Sequence, residues 1–441
     1  MSEPAPLTGD KDQSRWLLGG GLDPLPGFDL SHHYAVGTVG RDAADNPVTL
    51  ALDLAASLRG TGSDGVVHKG DDPWFNNVRL PGPDGSELRL GVIAHAGLVS
   101  RYEIRRRLSV NAPWADPCAG GQARVLAGVV TRTGAHEVDP GKLTFACTDG
   151  VAAKCIDWGY TPGGASGSRP WKVHQACTRM GRGDYCADGT PHTRNGTYIQ
   201  TYDVDGAIGA SPLPPATWPE LTEWPPPHTE FYFEAAWRAD RPALCLSRLR
   251  WQSLPLGPQC SGQLPDPRED AVAKFCDHQS SDDLIGRGAL LFNTSRYNDI
   301  KLQRWQNGDD RVTTVRGYEA APDTEIPGEP PFAPSYQYTG GDGSLLRSLP
   351  ADRDLSEVAQ VSMFKNASDD HVLGLTASPP PGYAPATDQP IEGLVLVAPS
   401  GNDTIPLRMC QHPTTGDRVS ETVCPTSYVE ESVLGHILLS E

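Results

Sequence analysis

Apolar residues in this chain come in short runs. VTLALDLAASL (48–58) and LRLGVIAHAGLV (88–99) are separated by the glycine- and proline-rich clusters GTGSDG and PGPDGS. Short β-branched and aliphatic runs between turn clusters predict strands. The pattern recurs in ARVLAGVVT, KLTFAC, TYIQTYDV, EFYFEAAW, ALCLSRLRW and RVTTVRGY, all between residues 123 and 318. RYEIRRR (101–107) alternates and is locally basic; it reads as the solvated face of a strand rather than a ligand site. Helical spacing is scarce. In KVHQACTRMG, Val173, Ala176, Cys177 and Met180 share one helix face, and Gly181 and Gly183 are placed to end it. In DPREDAVAKFC, Asp266 suits an N-cap, Pro267 the first helical position and Glu269 the capping box. The expectation is a mainly β protein with a few short helices.

The same pattern divides the chain. Residues 1–12 read as a disordered leader, 13–110 as an N-terminal β region and 111–318 as a central cysteine-rich domain. SPLPPATWPELTEWPPPH (211–228) is too rich in proline for a regular element. EAAPDTEIPGEPPFAP (319–334) is acidic and proline-rich and reads as a linker. Beyond it, DDHVLGL is followed by PIEGLVLVAP, and GDRVSET by EESVLGHILLS. That is a weak repeat of short strands, with YQYTGGDGSLLRSLP (336–350) as a degenerate first copy. It suits a β-trefoil-like module over 335–441.

Charge sharpens the division. The chain of 441 residues carries 37 Lys and Arg against 55 Asp and Glu, a net of −18. Residues 321–441 hold 17 acidic and 5 basic residues, a net of −12. Such a balance argues against nucleic-acid binding, which depends on Lys and Arg displacing counterions. No apolar run has the length of a membrane-spanning helix. MSEPAPLTGDKDQSR lacks the apolar stretch of a signal peptide, which taken alone suggests a cytosolic protein.

The ten cysteines argue for export. They are dispersed, even in number and free of any C-x-x-C pair, which fits disulfides in an oxidising compartment with a signal peptide already removed. Cys410 and Cys424 stand apart from the others and are expected to bond to each other. Connectivity among the remaining eight, including Cys147, Cys155, Cys177 and Cys186, stays open.

Candidate chemistry concentrates in ACTRMGRGDYCADGTPHTRNGTYI (176–199) and the residues just before it. Cys186 would be a nucleophile if His174 or His192 served as base and Asp184 as orienter, with Arg179, Arg182 and Arg194 supplying positive charge. His174, Cys177, Cys186 and His192 also carry zinc-ligand chemistry, though not in a recurrent spacing. Asp184, Tyr185, His192 and Thr193, with Arg179 nearby, would line a polar ligand pocket if the cysteines were tied off. Against these stands a structural role: disulfides at Cys177 and Cys186, Asp184 holding a turn and the Tyr185 ring in the core. This last reading is favoured, and no cofactor or metal is expected. Trp114, Trp218 and Trp224, each beside or near prolines, offer sugar-stacking faces but suit the edge of a β core better.

FACTDGVAAKCIDWGYTP and VHQACTRMGRGDYCADGTPHTRNGTYIQTYDVDG, continuing into FEAAWRADRPALCLSRLR, resemble the bacterial ADYC-domain proteins, named for an Ala-Asp-Tyr-Cys signature. The resemblance covers roughly 111–300. Gly183 stands where the signature has alanine, and Ala187 where glycine usually follows the cysteine. The resemblance implies an exported, cysteine-rich protein and carries no activity with it. IPLRMCQHPTTGDRVSETVCPTSYVEESVLGHI is similar to small β-repeat modules of secreted bacterial proteins, often suspected of binding carbohydrate, with His436 at a position that is more usually tyrosine.

Three functions remain in view. The first is an exported, non-catalytic protein of the bacterial envelope or exterior that binds a glycan, peptide or protein. The second is a hydrolase or peptide-modifying enzyme with its site at 174–193. The third is a cytosolic peptide-binding partner in a biosynthetic pathway.

Overall fold

The computed structural model describes residues 7–9, 34–35, 39–315 and 337–439, less internal stretches of which 219–230 and 255–275 are the longest. It is mainly β, with several antiparallel sheets and three short α-helices among the described residues. The helix expected over 266–276, nearly all of the proline-rich stretch from 219 on, and the linker 319–334 lie outside the described residues.

Ten antiparallel strands make the first sheet. Its inward side chains alternate with outward ones, as a half-buried sheet requires. Arg101–Arg107, for example, buries Tyr102 and Ile104 and leaves Arg101, Glu103, Arg105 and Arg107 on the other face. The core beneath includes Leu50, Leu88, Leu90, Val125 and Phe145. This sheet runs through the boundary expected near residue 110, because Gln122–Ala127 pairs with Arg101–Arg107 on one side and Lys142–Cys147 on the other. A disulfide between Cys118 and Cys147 closes that corner.

Helices α1 (Val151–Asp157) and α2 (Arg169–Arg182) follow and are joined by the Cys155–Cys177 disulfide. The expected apolar face of α2 is real: Val173, Ala176, Cys177 and Met180 are all buried. It packs toward a five-stranded sheet built from Leu7–Gly9, Thr197–Asp203, Leu291–Ser295, Tyr232–Trp237 and Cys245–Leu246. Leu7–Gly9 sits at one edge, paired with Thr197–Ile199, where the sequence predicts a disordered leader. A third helix, α3 (Ser281–Gly286), is capped by the Ser280 hydroxyl, and Cys245–Cys276 ties down the neighbouring loop.

The C-terminal module is built three times over on one plan. Each unit has an outgoing strand, a hairpin strand and a return strand that pairs back beside the outgoing one. The units are Asp299–Asn307, Asp310–Thr314 and Gln337–Leu346; then Val358–Lys365, His371–Leu375 and Ile391–Leu396; then Thr404–Gln411, Arg418–Glu421 and Val429–Leu438. The return strands close a ring, with Leu346 opposite Leu394, Leu396 opposite His436 and Leu438 opposite Ser344. The first unit therefore takes two strands, Asp299–Asn307 and Asp310–Thr314, from residues assigned by sequence to the central domain. Cys410 and Cys424 are bonded to each other.

Candidate functional site

The 174–193 patch is an end-of-helix structure. Its α2 helix stops at Gly183, which adopts φ 64°. The Gly183 N–H donates to Met180 O and the Asp184 N–H to Arg179 O, a Schellman closure that needs a left-handed residue at this point. Glycine meets that requirement without the cost a Cβ would bring. Ala187, where the family usually has glycine, also sits at φ 62°, so the two departures concern the same backbone requirement. An alanine held there costs roughly 1–2 kcal/mol.

Asp184, Arg182 and His192 hold this turn, while Arg179 and His174 bond to neighbouring segments. The Asp184 carboxylate accepts the Gly189 N–H at 3.2 Å, and Arg182 Nη2 donates to Gly189 O at 2.5 Å. Burial raises the Asp184 pKa, against the opposite pull of Arg179 and Arg182. Arg179 itself donates to Arg241 O at 3.1 Å. The His192 Nδ1–H donates to Gly183 O at 3.1 Å, and burial lowers the pKa of its imidazole. His174 is fully buried within α2, its Nε2–H on Ala152 O at 3.2 Å. Burial pushes its pKa down to about 3.

Beneath the turn lies an ion pair that sequence reasoning did not single out. Arg250 and Glu234 are both completely buried, 2.5 Å apart. Arg250 Nη2 also donates to Met180 O at 2.7 Å, so the guanidinium caps the carbonyl end of α2. The Tyr185 hydroxyl donates to Glu234 Oε1 at 3.0 Å while its ring stacks on Trp237 at 5.2 Å. Thr193 Oγ1 accepts from Arg250 Nη1 at 3.5 Å. Burial, then the neighbouring Glu234 carboxylate, raise the Tyr185 pKa. For Arg250, burial opposes the charge and Glu234 more than offsets it, so its pKa is raised. A glutamate in the otherwise apolar run FYFEAAW was the available signal, because a charge on an inward strand position must have a buried partner.

The structure thus brings Arg179, Asp184, Tyr185, Cys186, His192 and Thr193 together at the end of α2 and sets His174 apart. The ring of His174 lies edge-on to His136 at 5.8 Å. Cys177 is bonded to Cys155, and Cys186 is also in a disulfide. A thiolate nucleophile and a two-cysteine zinc site each need a free sulfur, which neither cysteine offers in this structure. No group of metal-binding side chains occurs among the described residues. Asn293 is fully buried, with Trp237 Nε1 donating to its Oδ1 at 2.7 Å.

A buried helix end locked by disulfides, an internal ion pair and an antiparallel sheet define a disulfide-framed, mainly β domain. Residues 82–252 match the family model of the ADYC domain, which supports the ADYC family for this segment. The match ends just past Arg250, so both partners of the buried ion pair and the whole turn fall inside it. No curated protein and no solved structure matches the chain.

Proposed function

We propose that this is an exported, non-catalytic binding protein whose ADYC domain is a scaffold. The observation that carries the reading is the state of the 174–193 patch: its cysteines are oxidised, and His174, His192 and Asp184, the candidate base and orienter, are buried and used internally. A general base must reach a substrate proton, and none of these groups faces an open surface. The four disulfides described favour an oxidising compartment, hence the bacterial envelope or exterior. The threefold plan of the C-terminal module supports the trefoil-like, ligand-binding reading of that part.

The test pairs a thiol titration of the unreduced protein with a glycan and peptide array. The expected result is no titratable thiol and saturable binding to one ligand class, with the bound ligand recovered unchanged. A free thiol at Cys186, or a ligand cleaved at a rate abolished by His192→Asn, would overturn the scaffold reading and restore an enzyme.

A further inference from the structure

One face of the first sheet breaks a rule of strand pairing. Strands Val39–Arg41, Arg79–Pro81, Glu87–Ile93 and Arg101–Arg107 are neighbours in that order. In register, Arg41 stands opposite Arg79, Arg79 opposite Arg89, and Arg89 opposite Arg105. Like charges directly opposite each other destabilise a sheet. Here four arginines cross four strands, over about 14 Å at the usual spacing of about 4.8 Å per strand. They do so in a chain of net charge −18. The other face of the same strands is core, with Leu80, Leu88, Leu90 and Ile104 buried. The arginine row therefore belongs to the solvent side, where the side chains of Arg41 and Arg105 are 57% and 41% exposed.

Loop and strand carboxylates pair with three of the four arginines and leave Arg89 without one. Asp45 lies 3.7 Å from Arg41 and 2.5 Å from Arg79. Glu103 and Asp116 lie 3.4 and 3.5 Å from Arg105, and Glu87 pairs with Arg107. The exposed pairs at Arg41, Arg79 and Arg105 contribute about 0–1 kcal/mol each, so a polyanion can compete with them. Arg89, in the middle, has no ion pair among the described residues. Its guanidinium rests on the Trp114 ring, 5.0 Å from the centroid, and Arg107 reaches the same ring at 4.7 Å. An aromatic ring fixed beside a row of cations offers stacking and charge pairing at one place.

We propose that this row binds a linear anionic polysaccharide, lying across the strands, with its carboxylates on Arg41, Arg79, Arg89 and Arg105 and a sugar ring against Trp114. The inference rests on the binding-protein reading above and names its ligand class. A polyuronate carries one carboxylate on every ring, which suits a row of single cations at strand spacing. An acidic peptide would answer the arginines and leave Trp114 unused.

The test is calorimetric titration of the full chain with polygalacturonate, with polyglutamate, dextran and duplex DNA as comparators. Polygalacturonate should bind and weaken as salt rises. Arg89→Gln should weaken it about tenfold or more, the loss of one charge-assisted contact, without lowering the melting temperature, because removing a like charge relieves the row. Trp114→Ala should weaken polygalacturonate selectively. Absence of polygalacturonate binding, equal binding of polyglutamate or DNA, or indifference to Arg89→Gln would each overturn the assignment. If polygalacturonate is inert while the array finds another ligand, the row is wrong and the binding-protein reading stands; if the array is also empty, both fall.

Discussion

Glu234 and Arg250 show how much one residue can carry in this fold. Both charges are removed from water, and the cost is met because each accepts or donates several bonds: to each other, to Tyr185 and to the carbonyl of Met180. Removing one partner leaves the other charged and alone. Glu234→Gln should therefore lower stability by about 3–5 kcal/mol in denaturant unfolding, and Glu234→Leu combined with Arg250→Met should lose less than either single change. At this scale the sequence was informative about neighbourhood and poor about partners. The dense patch around Asp184, Tyr185 and Cys186 does mark a distinctive place, and Gly183 ends the helix as expected, whereas Gly181 lies inside it, where a Cβ would strike Val151. What spacing along the chain could not show is that Arg250 returns from 69–70 residues away to close the same helix end.

Elements repeat more faithfully than their residues do. The return strands of the three C-terminal units carry Gly343-Ser344-Leu345-Leu346, Gly393-Leu394-Val395-Leu396 and Gly435-His436-Ile437-Leu438. At each glycine a side chain would strike the preceding return strand of the ring: Leu438 O at 2.6 Å, Leu345 Cβ at 2.8 Å and Val395 Cγ2 at 2.5 Å respectively. The glycines are there so that three strands can meet. Gly435 also has φ 154°. Gly435→Ala should cost about 2–4 kcal/mol through overpacking and backbone strain, seen by calorimetry as a lowered melting transition. Two of these units were legible because their hairpins are contiguous in sequence. The first was not, because more than twenty residues separate its hairpin from its return strand, from Val315 to Gln337. That interval looks like a linker by composition.

At the scale of the whole molecule, two buried histidines should make stability depend on pH. His174 and His136 are buried face to edge, each donating from Nε2 to a backbone carbonyl and each with a bare Nδ1. Protonation would place a second donor in each ring where no acceptor waits. Burial lowers both pKa values from 6.5, that of His174 to about 3. The folded state therefore binds fewer protons than the unfolded chain between about pH 6.5 and pH 3. Stability should be fully present above pH 6.5 and fall with decreasing pH through that window, by up to about 1.4 kcal/mol per unit for each histidine. His174→Gln should flatten the profile of melting temperature against pH below 6. Composition predicted the β class and the disulfide frame of the molecule, yet it could not locate the join between its parts, because that join is a matter of contact. Arg250 faces the end of α2. The next residue, Trp251, packs against Leu346, Leu396 and Leu438, the last residues of the three G-x-x-L segments. Gln252 and Ser253 then donate their N–H groups to Asp299 at the start of the first unit.

The pairing of Asp299–Asn307 with Gln337–Leu346 has a consequence for how the chain would respond to being cut. A protease acting between Val315 and Gln337 would not liberate a domain. The two fragments would stay together as a nicked complex, registered strand to strand and stoppered by Trp251. A gene truncated at that point would encode half of a split protein, competent only when its complement is supplied.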